Sequence, residues 1–77
     1  MRIAFIGAGR LALALSQALA RQGLEVVAVA SRTRASAEKL AARVPGCVVM
    51  ESQAAADAAE LVFISVPDDA IAPAVAA

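Results

Sequence analysis

The stretch Arg2-Ile3-Ala4-Phe5-Ile6-Gly7-Ala8-Gly9-Arg10-Leu11-Ala12 decides the fold. Its first five residues are a short apolar run of the kind that lies buried on both faces of a parallel sheet. The next six read G-x-G-x-x-A. Behind them Leu11, Leu15 and Leu19 recur every fourth residue while Arg10, Gln17 and Arg21 fall on another face, which predicts an amphipathic helix from Arg10 to about Gln22.

Between a strand and a helix, each small residue of that turn has a task. Gly7 permits the tight bend, Gly9 lets a pyrophosphate approach the backbone, and Ala12 lets helix and strand pack closely. Amides opening a helix have no partners inside it, and the helix dipole adds positive potential there, so a phosphate suits the turn built by Gly7, Ala8, Gly9, Arg10 and Leu11. The plainer alternative is that the glycines only shape a turn. Arg10 likewise either adds charge to the phosphate site or stands solvated.

Gly23 is the expected stop for the first helix. Leu24 to Ala30, with Val26, Val27 and Val29, predicts a second strand. Ala37, Leu40, Ala41 and Val44 lie at i, i+3, i+4 and i+7 and predict a second helix, with Thr33 or Ser36 able to cap its start. Pro45-Gly46 ends that helix, and Cys47 to Met50 is expected as a short buried strand. Gln53 to Ala59 is a weak, alanine-rich helical piece, and Leu61 to Ser65 a fourth strand closed by Val66-Pro67. Asp68 and Asp69 offer N-caps for a helix that the chain end cuts off. Strands alternating with helices over short connections imply parallel strands and right-handed crossovers. The expected fold is therefore α/β, a Rossmann-like half of a doubly wound sheet in strand order 3-2-1-4, filling residues 1–77 as one domain.

Sites that prefer NAD commonly place an acid at the end of the second strand, roughly 20 residues past the glycines, to hold the ribose hydroxyls. Ser31 stands there instead, followed by Arg32, Thr33 and Arg34. A carboxylate would repel the 2′-phosphate of NADP, whereas a hydroxyl flanked by guanidinium groups can donate to it with charge assistance. The alternative is a polar loop with solvated arginines. Val66 and Pro67, at the carboxyl edge of the fourth strand, either line the wall near the nicotinamide ribose or merely terminate the strand. Asp69 reads as a helix cap, and a catalytic role for Asp68 is not favoured.

Composition removes several function classes. The chain of 77 residues carries seven basic and seven acidic side chains, and it has two Phe, no Trp and no Tyr, so it offers neither excess charge for a phosphate backbone nor platforms for stacking bases. Cys47 is the single cysteine and there is no histidine, which rules out an internal disulfide, a Cys/His zinc site and a histidine-activated nucleophile within the chain. Cys47, in an apolar run, reads as a structural thiol. Arg2, an apolar stretch and Ala18-Leu19-Ala20 loosely imitate a secretory signal, but Arg10 would interrupt its apolar region. No run approaches the roughly 20 apolar residues of a membrane span, so the expectation is a soluble, cytoplasmic protein.

With Ile6-Gly7-Ala8-Gly9-Arg10-Leu11-Ala12, Ser31-Arg32 and Val66-Pro67-Asp68-Asp69-Ala70-Ile71 in register, the whole chain resembles the N-terminal domain of the 6-phosphogluconate-dehydrogenase-like superfamily. It is most similar there to pyrroline-5-carboxylate reductase-like proteins and to NADP oxidoreductases that carry a helical C-terminal domain. The resemblance implies that the glycine turn binds pyrophosphate and that Ser31-Arg32 favours NADP. It also implies a substrate held mostly by a C-terminal domain absent here, often at a homodimer interface. Imino acid, hydroxy acid and coenzyme F420 chemistry are all compatible with these motifs, and no catalytic residue is carried over. The reading is an NADP(H)-binding oxidoreductase domain that orients the cofactor for hydride transfer. Its competitors are a non-catalytic nucleotide sensor and, more weakly, a methyltransferase, whose S-adenosylmethionine sites usually want an acid where Ser31 stands.

Overall fold

Alternating large and small apolar residues give the central strands two different faces. The computed structural model describes residues 1–65 and 71–75. Ile3 and Phe5 of β1 (Arg2–Ile6) and Val26 and Val29 of β2 (Glu25–Ala30) point to one side of the sheet. There they meet Ala12 of α1 (Arg10–Arg21), Ala37 and Leu40 of α2 (Arg34–Arg43), and Val44 beyond it. Ala4, Ala28 and Ala30 point to the other side, against Ala55 of α3 (Ser52–Ala58), with Ala59 and Val62 beside them. Full burial of a Phe5- or Leu40-sized side chain contributes roughly 1.5–3 kcal/mol, so the first face carries most of the apolar stabilisation. The alanines of the second face trade that for close approach of α3.

The sheet runs β3-β2-β1-β4-β5, with β3 (Val48–Val49), β2, β1 and β4 (Leu61–Ser65) mutually parallel. The expected 3-2-1-4 order is thus present. Phe5 lies level with Phe63 on β4, and their rings stack with centroids 5.3 Å apart, tying the two central strands together on the α1/α2 face.

Three sequence expectations need correction. A helix was expected after Asp68 and Asp69, but Ile71–Val75 forms β5, antiparallel to β4, with Pro73 level with Phe63. Proline is poorly suited to a helix interior and tolerated on an edge strand, while Ile71 and Val75 are β-branched, so local preference agrees with the strand. The buried strand expected over Cys47 to Met50 is reduced to two residues, and Val48 is 54% exposed, because β3 is an edge with a neighbour on one side only. The leucine stripe of α1 is not its innermost line: Ala12 and Ser16 are fully buried, whereas Leu11 is 43% exposed and Leu15 and Leu19 flank the contact. A helix lying close to a sheet needs small side chains along its line of contact, and the hydroxyl of buried Ser16 is satisfied by donating to the Leu13 carbonyl at 2.9 Å.

Element ends follow from local chemistry. Gly23, at φ +84°, closes α1: its amide donates to the Ala20 carbonyl and that of Leu24 to the Leu19 carbonyl, the paired bonds of a Schellman motif. Val44-Pro45-Gly46-Cys47 forms a turn closed by the Cys47 amide on the Val44 carbonyl, with Gly46 at φ +83° in the place that requires it. Ladder register between β1 and β2 shifts between Ile3, level with Val26, and Ala4, level with Ala28, so Val27 is an extra, bulged residue.

Candidate functional site

Ile6 lies level with Ala30 on one side and Ile64 on the other, so β2, β1 and β4 end at one height at the carboxyl edge of the sheet. Helices leave this edge in different directions. α1 and α2 pack on one face and α3 on the other, which makes the β1/β4 boundary the switch point of the sheet, where open α/β folds place their ligands.

The glycine turn sits on that edge. Gly7 takes φ +104°, a conformation open to glycine and costly for other residues, and its amide donates to the Ala30 carbonyl at 2.6 Å, extending the β1–β2 ladder into the turn. Gly9 is the N-cap of α1, with φ −76° and ψ −173°, and its carbonyl accepts the Leu13 amide at 2.9 Å. Gly9 has no side chain to cap the helix, and the amides of Arg10, Leu11 and Ala12 have no carbonyl inside the helix to receive them. No acid stands in this first turn; Arg10 occupies it instead, exposed, at the positive end of the dipole. A cation there is unfavourable for an isolated helix and well placed for an anion.

Ser31 follows Ala30 at the end of β2, next to the glycine turn. Its Oγ accepts the Thr33 amide at 3.3 Å, and this bond bends the loop into α2. Thr33 is the N-cap of α2 by position, yet its side chain makes no cap bond; its carbonyl receives the amides of Ser36 and Ala37 instead. Thr33, one of the two caps the sequence suggested beside Ser36, therefore holds the cap position without a cap bond from its hydroxyl. Arg32 and Arg34 are exposed, and Arg34 Nε lies 3.7 Å from Glu38 Oε2 one turn along the helix. Val66 and Pro67, the sequence candidates beyond β4, lie outside the described residues.

A hollow of about 300 Å³ opens beside this loop, lined by Ser31 and Arg34 from the β2 end and by Val49, Met50 and Glu51 from the β3 end. Val49, Met50 and Glu51 were missed by the sequence reading, because a two-residue edge strand gives almost no periodic signal. At the opposite, amino-terminal edge a second hollow of about 340 Å³ is lined by Leu24, Val26, Val27 and Pro45 among others, far from the glycine turn. Cys47 is half-buried, and burial pushes its thiol up to about 11, which keeps it protonated and unreactive near neutrality. Among the described residues no group of three or more His, Cys, Asp or Glu could hold a metal ion, and no helix is long and apolar enough to cross a membrane.

This arrangement fits a dinucleotide. The turn offers free backbone amides beside the exposed Arg10, the adjacent loop carries a hydroxyl and two guanidinium groups, and no carboxylate stands at the end of β2. Comparison with known proteins agrees. Residues 2–77 match the family described as NADP oxidoreductase, coenzyme F420-dependent. Among solved structures the chain is similar to a "putative NADP oxidoreductase" from Bacteroides fragilis, at 40% identity and a TM-score of 0.76 over 87% of this chain. The match covers 26% of that protein, so the chain spans about a quarter of its length. No curated protein sequence matches. The fold, the glycine turn and the match over residues 2–77 together place the chain in the family of coenzyme F420-dependent NADP oxidoreductases.

Proposed function

We propose that this chain is the NADP(H)-binding domain of an oxidoreductase that moves hydride between NADPH and a small molecule. The observation that carries the reading is the uncapped, acid-free start of α1 beside a β2 end that presents Ser31 and arginines in place of an acid. Gly7, Ala8, Gly9, Arg10 and Leu11 hold the pyrophosphate, with Gly9 giving it access and Arg10 adding charge. Ser31, Arg32, Thr33 and Arg34 hold the 2′-phosphate. Val66 and Pro67, which follow Ser65 in the sequence, are assigned to the nicotinamide ribose on the resemblance alone.

When bound, the nicotinamide supplies the hydride. The chain's own residues fix the dinucleotide's direction across the sheet edge, pyrophosphate at β1 and 2′-phosphate at β2, so that its nicotinamide end lies toward β4. Because the chain spans about a quarter of the similar solved protein, we assign the wall that positions the hydride acceptor to residues outside this chain, with a homodimer as the expected assembly. Coenzyme F420, which the family's description names, is the first acceptor to try. The chain's expected place is the cytoplasm, where a lone cysteine stays reduced.

Calorimetric titration of the chain with NADPH, NADH and S-adenosylmethionine tests the reading. NADPH should bind most tightly. Tighter binding of S-adenosylmethionine, or no binding of either dinucleotide, would overturn it.

A further inference from the structure

The hollow at the β2–β3 end is bordered by an acidic residue, Glu51, that the phosphate sites do not use. From β1 outward, the proposed dinucleotide site places pyrophosphate at the glycine turn and 2′-phosphate at Ser31 on β2. The base is joined to the same ribose on the side away from the pyrophosphate, so it must extend toward the next strand, β3. There the about 300 Å³ hollow is lined by Val49, Met50 and Glu51 opposite Ser31 and Arg34. The amide of Met50 donates to the Val29 carbonyl at 2.9 Å, which fixes the backbone at the rim and sets Glu51 directly after it.

Glu51 is the N-cap of α3 by position, but its side chain makes no cap bond, and among the described residues its carboxylate forms neither a hydrogen bond nor an ion pair. An acid beside a 2′-phosphate site is unfavourable unless it meets a donor. Adenine supplies one in its exocyclic amine, and Val49 and Met50, half-buried against opposite faces of the sheet, both border the hollow as apolar residues.

We propose that Glu51 reads the base, accepting a hydrogen bond from the exocyclic amine of adenine in the hollow that Val49 and Met50 border. This inference rests on the NADP(H) reading of the glycine turn. It assigns the β3 end a specificity role separate from the phosphate contacts at β1 and β2.

The test titrates the parent chain, Glu51→Gln and Glu51→Ala with NADPH and with its hypoxanthine analogue, in which a carbonyl oxygen replaces the amine. The parent should favour NADPH by about 10-fold, the scale of one exposed charge-assisted hydrogen bond. Glu51→Ala should lose that preference by weakening NADPH alone, and Glu51→Gln, whose amide can also donate to the carbonyl, should tighten the analogue. Because the Glu51 side chain caps nothing, both variants should melt with the parent. Equal parent affinities for the two dinucleotides, or a Glu51→Ala variant that binds NADPH more tightly because a repelling charge is gone, would overturn the base-reading role while leaving the NADP(H) reading intact. Failure of the parent to bind either dinucleotide would instead remove that reading, and this inference with it.

Discussion

Arg34 faces two ways: it lines the hollow it shares with Ser31, and its Nε lies 3.7 Å from Glu38 Oε2 one turn along α2. A phosphate arriving at Ser31 must compete with Glu38 for that guanidinium. Both partners are largely exposed, so the pair is weak, about 0.3–0.5 kcal/mol for an i,i+4 pair on a helix surface. Glu38→Gln is therefore expected to tighten NADPH about two-fold at low salt and to leave NADH unchanged. Titration of both cofactors at low and high salt checks this, because added salt should erase the gain.

Cofactor preference depends on the same loop. Parent affinity for NADPH over NADH should be on the order of 10- to 100-fold, the worth of one or two charge-assisted contacts to the 2′-phosphate. Arg32→Ala should weaken NADPH and spare NADH. Ser31→Asp should move the preference toward NADH, adding repulsion for the phosphate and an acceptor for the ribose hydroxyls. Calorimetry on the parent and both variants reads these effects; an Arg32→Ala loss of equal size for both cofactors would remove the arginine from the phosphate site.

The two glycines of the turn should fail differently. Gly9 has φ −76° and ψ −173°, backbone open to any residue, so Gly9→Val should keep the melting temperature and abolish dinucleotide binding by filling the pyrophosphate's place. Gly7 has φ +104°, so Gly7→Val should lower stability by roughly 1–3 kcal/mol whether or not ligand is present. Thermal melts with and without NADPH separate the two. A folded Gly9→Val chain that still binds NADPH would refute the pyrophosphate assignment.

Cys47 gives a pH signature. Burial raises its thiol from 9.0 to about 11, so above pH 9 the unfolded chain loses this proton before the folded one does. The protonated thiol's contribution is complete below pH 9 and is lost as pH rises from about 9 to 11. Cys47→Ala should flatten that part of the stability curve, and alkylation of the folded parent should stay slow at pH 8. Denaturant melts of both chains across this range are the check.

Most of the fold was legible because the strands are apolar runs bounded by Gly7, Gly23 and Pro45-Gly46, and because α2 buries Ala37 and Leu40, and its C-cap Val44, as the spacing predicts. Less legible was how the elements lie against one another. Leu11 was expected with the core stripe but is exposed at the start of α1, since the helix sits too close to the sheet for a leucine on its contact line. Thr33 had the residue type of a cap, but its hydroxyl makes no cap bond, and its carbonyl takes only the ordinary first helix bonds, from the amides of Ser36 and Ala37. At the site, the glycine turn and the Ser31 loop follow central strands with strong patterns. The β3 contribution from Met50 and Glu51 follows an edge strand of two residues, too short for any period to show.

The bulge at Val27 bears on how the distance between the glycine turn and Ser31 should be counted. Val26 and Val29 both face α1 and α2 only because Val27 is spent outside the ladder; without it Ala28 would follow Val26 in regular alternation, and Ile6 would still lie level with Ala30. β2 thus holds one residue of slack. A chain one residue shorter between Gly23 and Ser31 could close the bulge and present the same serine at the same height beside the same turn. The separation in space between the turn and Ser31 is fixed by the ladder bond from Gly7 to Ala30, and the number of residues along the chain between them is free to differ by one.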